Sequence, residues 1–198
     1  PTANILNYTS PGYKAFPVEY DLHEAKRLAH EVLENKRCEI TYCINGNEPL
    51  QKGEAELIAY WLQDIGLDVK IQAIEYATLS KMMRKGDFNI VRIQKGLANG
   101  DPFSALYTFI MPDGALNVSN SSGYNNPEVI ELMNKVKHIT DEAERQRVFD
   151  RVQEIVVYEQ PVIPLFNDMN IVAYNKRLKN YKPLIYGVDL SKVELAEE

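Results

Sequence analysis

Trp61-Leu62-Gln63-Asp64-Ile65-Gly66-Leu67-Asp68-Val69-Lys70-Ile71-Gln72-Ala73 holds the end of one element and the whole of the next. Ile58, Trp61, Leu62 and Ile65 recur at helical spacing, and Gly66 is a natural C-terminal stop. Leu67, Val69, Ile71 and Ala73 then alternate with Asp68, Lys70 and Gln72, the period of two that marks a strand. Upstream, residues 39–44 place Ile40, Tyr42 and Ile44 on one face of another strand, closed by the turn Asn45-Gly46-Asn47-Glu48-Pro49. Downstream, a short helix over residues 77–85 leads into a strand starting at Phe88. Strand, helix, strand, helix, strand with short connections predicts an α/β sheet with crossover helices.

The flanks extend this pattern. Pro1, Pro11, Gly12 and Pro17 sit among scattered aromatics without periodicity, so residues 1–19 read as an extended segment. Asp21 caps the next helix, with Glu24 three residues on and an apolar stripe of Leu22, Ala25, Leu28, Ala29, Val32 and Leu33. Past the sheet, Pro127 occupies a first helical position before Val129, Met133 and Val136. A longer helix over residues 141–159 carries Val148, Val152, Ile155 and Val156.

Composition excludes several functions. A net charge of -6 and the lack of any basic run argue against nucleic acid. No stretch of ~18 apolar residues could span a membrane. The opening Pro1-Thr2-Ala3-Asn4 has neither a charged nor an apolar leader region, as expected of a processed or truncated chain if the protein is exported. Cys38 and Cys43 flank one strand, roughly 16 Å apart in extended chain, beyond disulfide reach, and read as small apolar fillers. His30-Glu31 begins like a zinc-protease motif, but Glu34 stands where the second histidine belongs. Gly-x-Ser-x-Gly and Walker-type loops are both missing. Asp141, Glu142 and Glu144 complement a helix dipole rather than form an acid–base pair. No catalytic residue, metal ligand or cofactor is expected.

Phe88-Asn89-Ile90-Val91-Arg92-Ile93-Gln94-Lys95-Gly96-Leu97-Ala98-Asn99-Gly100-Asp101-Pro102 is a short strand breaking into a polar loop. Ligands of open α/β sheets sit beyond the carboxyl ends of the strands, where this loop lies. Its candidate ligand contacts are Arg92, Gln94, Lys95, Gly96, Asn99 and Asp101. Arg92 is either structurally ion-paired or aimed at a carboxylate. Lys95 is either a solvated surface cation or a partner for an anionic group. Gly96 and Gly100 serve as turn glycines or let backbone approach a ligand. Asp101, before Pro102, is a capping group or a ligand contact. Asn117 and Tyr124 are expected to fix the following loop to the sheet or to contact a ligand.

Several segments carry a family resemblance in order: Tyr20-Asp21-Leu22-His23-Glu24-Ala25-Lys26-Arg27-Leu28, then the joint Trp61 to Val69, then Gly123-Tyr124-Asn125-Asn126-Pro127. Asp141 with Arg145 and Arg147, Pro161-Val162-Ile163-Pro164-Leu165-Phe166 and Val172-Ala173-Tyr174-Asn175 complete the set. Together they resemble the second lobe of bacterial extracellular solute-binding proteins of family 5, the oligopeptide-, dipeptide- and nickel-capturing subunits of ABC importers.

The resemblance implies a type II periplasmic-binding-protein-like α/β lobe, a mixed sheet flanked by helices. It makes residues 1–19 a hinge-proximal segment, 20–167 the ligand-binding lobe, and 168–198 a return strand and tail towards a missing N-terminal lobe. The implied partners are a small-molecule or peptide ligand, ABC permease subunits and that first lobe. The implied location is periplasmic or extracytoplasmic, membrane-anchored if the protein is a lipoprotein. Two departures bear on the ligand. Peptide-binding relatives carry an aspartate for the peptide ammonium where this chain has Ala98, and a tryptophan where it has Lys95 or Gly96. Nickel or metal-chelate capture, and a ligand receptor without transport, are the alternatives on the same fold.

Overall fold

The computed structural model describes residues 2–96, 101–119, 122–168, 171–184 and 189–196. They divide into two compact units, 1–165 and 166–198. In the first, helix α1 (Leu22–Leu33) precedes strand β1 (Cys38–Asn45), helix α2 (Pro49–Gln63), strand β2 (Leu67–Ile74), helix α3 (Tyr76–Lys85) and strand β3 (Ile90–Val91). Helices α4 (Pro102–Ile110), α5 (Ala115–Ser119), α6 (Pro127–Val136) and α7 (Glu142–Glu159) follow. The αβ joint forms as its residues dictate: Gly66 takes a φ of 92°, open to glycine at little cost, and β2 starts at the next residue.

The sheet runs β2-β1-β3, and both ladders are parallel, as helical crossovers between successive strands require. β1 pairs along its whole length with β2, from Cys38 opposite Leu67 to Asn45 opposite Ile74. Its alternation sorts side chains between two layers. Tyr42 and Ile44 pack with Ala55 and Ile58 of α2, while Cys43 packs with Leu79 and Met83 of α3. Cys38 and Cys43 are free thiols, and burial pushes the Cys43 thiol up.

β3 is shorter than the run from Phe88 suggests. The Asn89 side-chain oxygen accepts the Thr41 amide proton at 2.8 Å, taking a donor that a longer ladder would use. Backbone pairing still extends to Arg92, whose amide donates to Cys43 O at 2.9 Å.

A second core packs α4, α6 and α7 together. Val129, Met133 and Val136 meet Val148, Val152, Ile155 and Val156, the stripes expected of these helices, with Leu106 and Ile110 from α4. At the end of α4 the chain turns too tightly for any side chain at Gly114. A Cβ there would lie 2.3 Å from Tyr107 O and 2.7 Å from Thr108 O.

Residues 2–20 form no helix or strand, yet they are anchored in this core. Leu6 is fully buried, worth about 2 kcal/mol of apolar transfer. Gln153, buried on α7, accepts from Asn4 Nδ2 at 2.7 Å and from the Lys14 amide at 3.0 Å. Its own amide donates to Gly12 O at 2.9 Å. Nothing in the pattern of residues 1–19 signalled this attachment.

The stripe on α1 behaves otherwise. Asp21 caps the helix by accepting from the Glu24 amide, as expected, but no α1 residue is buried; Leu28 is 47% and Val32 79% exposed. The amphipathic pattern is real but only partly covered: Leu22, Ala25, Ala29 and Leu33 are half-buried, with Leu33 near Gly66, while Leu28 and Val32 face solvent.

In the second unit, strands β4 (Leu178–Lys179) and β5 (Glu194–Leu195) form an antiparallel pair, separate from the parallel sheet. Residues 172–175 lie outside both strands, and Tyr174 stacks at a tilt on Tyr181 with ring centres 4.6 Å apart.

Two outcomes follow from the α7 attachments. Gln153→Ala leaves the buried Asn4 side chain and the Lys14 amide without their acceptor, and is expected to cost about 2–4 kcal/mol in urea denaturation. On the surface, Lys14 Nζ donates to Glu154 Oε1 at 2.6 Å and holds that carboxyl below its ordinary value of 4.5. A lowered folded-state value stabilises fully above 4.5, and the benefit fades as pH falls through the depressed value. Lys14→Gln should therefore narrow the gap between urea midpoints measured at about pH 6 and about pH 3; an unchanged gap would show that the pair is not linked to folding.

Candidate functional site at the carboxyl edge of the sheet

Because β1, β2 and β3 are parallel, their carboxyl ends at Asn45, Ile74 and Val91 share one edge. Gly46 N donates to Ile74 O at 2.8 Å and closes the end of β1 against β2. Gln51, buried in the first turns of α2, accepts the Asn45 amide proton at 3.1 Å. Glu75 caps α3 by accepting from Ala77 N and Thr78 N. These groups are occupied in holding strand ends and helix starts.

Arg92 stands just past β3. Its Nε donates to Glu54 Oε2 at 2.7 Å, with the two side chains 12% and 24% exposed, and its Nη1 donates to Ile93 O. Of the two roles open to this arginine, the ion pair is present. Glu54 is a residue that the sequence reading missed: an acid on α2 carries no signal of a partner so far along the chain. Below the pair, burial pushes the Tyr42 phenol up, with Arg92 pulling it down and Glu54 raising it.

Gln94, Lys95 and Gly96 follow and are exposed. Asn99, like Ala98 and Gly100, lies outside the described residues. Asp101 caps α4: its carboxylate accepts from Phe103 N at 3.2 Å and Ser104 N at 3.0 Å, with Pro102 at the first helical position. Arg92, Gln94, Lys95 and Gly96 thus lie in one stretch at the sheet's edge, while Asp101 stands at the start of the next helix.

Asn117 and Tyr124 tie residues 122–126 to the ends of α4 and α7, not to the sheet as expected, because their hydrogen-bond partners lie on those helix ends. The buried Asn117 amide donates to Met111 O and to Tyr124 O, both at 2.9 Å, and its oxygen accepts from Ser122 Oγ. The Tyr124 hydroxyl donates to Glu159 Oε2 at 2.5 Å, and burial with this carboxylate pushes the phenol far up. Asn126 Nδ2 donates to the other Glu159 oxygen at 2.8 Å, tying the start of α6 to the end of α7.

A groove lies at the opposite, amino edge of the sheet, between α1 and the α2–β2 joint, and includes His23, Lys26, His30 and Lys36. Its arginines are engaged: Arg27 with Glu24 and Glu31, Arg37 with Asp68. Among the described residues no group of three or more His, Cys, Asp or Glu side chains is placed to hold a metal ion, and no helix is long and apolar enough to cross a membrane.

Residues 1–117 match the family of bacterial extracellular solute-binding proteins, family 5 (middle). The chain belongs to that family. It is 26% identical over 171 residues to the Probable D,D-dipeptide-binding periplasmic protein DdpA of Escherichia coli, which covers 86% of this chain and 33% of DdpA. It is likewise 26% identical over 202 residues to the peptide transport periplasmic protein SapA of Haemophilus influenzae, covering 98% of this chain and 36% of SapA. Among solved structures, the periplasmic binding protein DppA of Helicobacter pylori, in complex with the peptide STSA, matches with a TM-score of 0.82 and 29% identity. That match covers 98% of this chain and 38% of the other. A dipeptide-binding protein of Pseudoalteromonas, at 20% identity and a TM-score of 0.81, shares the fold. The chain therefore spans about a third of the length of these relatives, and they are named as binding proteins rather than enzymes.

The two roles considered for Asp101 separate by substitution. Asn caps nearly as well as Asp, whereas Ala does not. Asp101→Asn is expected to keep wild-type stability and Asp101→Ala to lose about 1 kcal/mol in thermal or urea unfolding. Weakened solute binding by Asp101→Asn, at unchanged stability, would instead mark the carboxylate as a ligand contact.

Proposed function

We propose that this chain is the second lobe of an extracytoplasmic solute-binding protein that captures a peptide-like solute and delivers it to an ABC importer. The observation that carries this reading is the match along 98% of the chain to a protein solved with a bound peptide, at 29% identity. The carboxyl edge supports it, since Gln94, Lys95 and Gly96 leave side-chain and backbone polar groups exposed where α/β folds take ligands.

On this reading Arg92, Gln94, Lys95, Gly96, Asn99 and Asp101 form one jaw of a clamshell, and the first lobe supplies the other. Closure about the hinge buries the solute and creates the surface that the permease subunits recognise. Residues 1–19 and 168–198 lead towards that first lobe, and the protein works in the periplasm or its extracytoplasmic equivalent. Ala98, in place of an aspartate, leaves the peptide ammonium to another residue.

Isothermal titration of the two-lobed protein against short-peptide pools, then against nickel–histidine mixtures, tests the proposal. Saturable heat with peptides and none with nickel–histidine is the expected result; the reverse would assign the lobe to chelate capture. The isolated 198-residue lobe should bind the same peptides weaker by about 100-fold or more, about 2.7 kcal/mol, because half of the contacts are gone.

A further inference from the structure

The charged groups of the carboxyl edge differ in what they do. Glu75 and Asp101 serve helix N-termini within a few residues of themselves. Glu54 instead reaches a residue 38 positions away and meets the Arg92 guanidinium at 2.7 Å. Both side chains are mostly covered, at 12% and 24% exposure, so solvent screens the pair less than it screens the fully solvent-facing pairs of this chain. The Arg92 backbone is held by its amide to Cys43 O, and its side chain reaches Glu54 and Ile93 O. Glu54 stands on α2 one turn beyond Gln51, which accepts from the Asn45 amide.

A guanidinium at the strand ends would, by itself, favour any solute presenting an acidic group there. With a carboxylate held against it, the edge presents a dipole instead of a net charge. An acidic group brought near the pair then meets the Glu54 carboxylate as well as the Arg92 cation, and gains little for its lost hydration.

We propose that Glu54 is a specificity-determining residue of the solute site: by holding and neutralising Arg92, it makes the lobe select neutral over acidic solutes at the carboxyl edge. The proposal rests on the reading of this lobe as a peptide-binding jaw and adds the charge class of the peptide.

The test compares Ala-Gln-Ala with Ala-Glu-Ala by titration into the intact two-lobed protein, wild type and Glu54→Gln. Wild type should prefer Ala-Gln-Ala, and Glu54→Gln should shift the ratio of dissociation constants towards Ala-Glu-Ala by about tenfold. An unchanged ratio, with both peptides still binding, overturns the proposal. If wild type binds neither peptide, the peptide reading is what has failed, and the pair is then read without a solute. Phenylglyoxal modification of Arg92, followed by peptide mass spectrometry, should be slow in wild type and several-fold faster in Glu54→Gln. Equal rates overturn the assignment of Glu54 as the residue that withholds Arg92. Should Glu54→Gln fail to fold by circular dichroism, Glu54→Asp keeps the charge on a shorter arm. Faster labelling there supports the proposal, and a wild-type rate overturns it.

Discussion

Strand β1 is the constraint on which the rest of the first unit depends. It is hydrogen-bonded on both edges, to β2 along its length and to β3 at Tyr42 and Cys43. Its two faces are covered by α2 and α3. A slip of one residue would turn Tyr42 and Ile44 towards α3 and Cys43 towards α2, exchanging large and small side chains between two packed layers. Double-sided burial therefore pins the register. Register in turn brings Asn45, Ile74 and Val91 to a common edge.

The described residues on either side of 97–100 are fixed by different elements. On one side the Arg92 amide is the last bond to β1; on the other, Asp101 caps α4. α4 belongs to the second core with α6 and α7, which also takes in the N-terminal segment through Leu6 and Gln153. Arg92 and Asp101 are thus held by different elements, while Ile93 beside Arg92 packs against both cores. Gln94 and Lys95 follow directly on the fixed end of β3 and are exposed.

Electrostatics at this edge follow local economy. Glu75 and Asp101 complement helix N-termini, where a carboxylate meets unpaired amides and the positive end of the dipole. The Arg92–Glu54 pair joins β3 to α2 across the edge. Each of these carboxylates thus meets an amide or a guanidinium within the lobe.

Periodicity and punctuation determined much by themselves. Alternation from Leu67, the stop at Gly66, the cap at Asp21 and the stripes on α6 and α7 were legible because each depends on neighbours within a few residues. Asp101 before Pro102 offered a cap as one of two readings for the same reason, whereas Asn117 was legible as a loop anchor but not the helix end it ties the loop to. What only the tertiary structure decided involves partners far apart in the chain. Asn89 shortens β3 by bonding Thr41, Gln153 captures residues 4–14, and Glu54 finds Arg92. The α1 stripe shows the same limit from the other side, since a local pattern announces an amphipathic helix without saying what covers it. Local sequence sets which conformation a segment prefers; pairing of distant polar groups depends on how the layers stack, and no spacing rule carries that information.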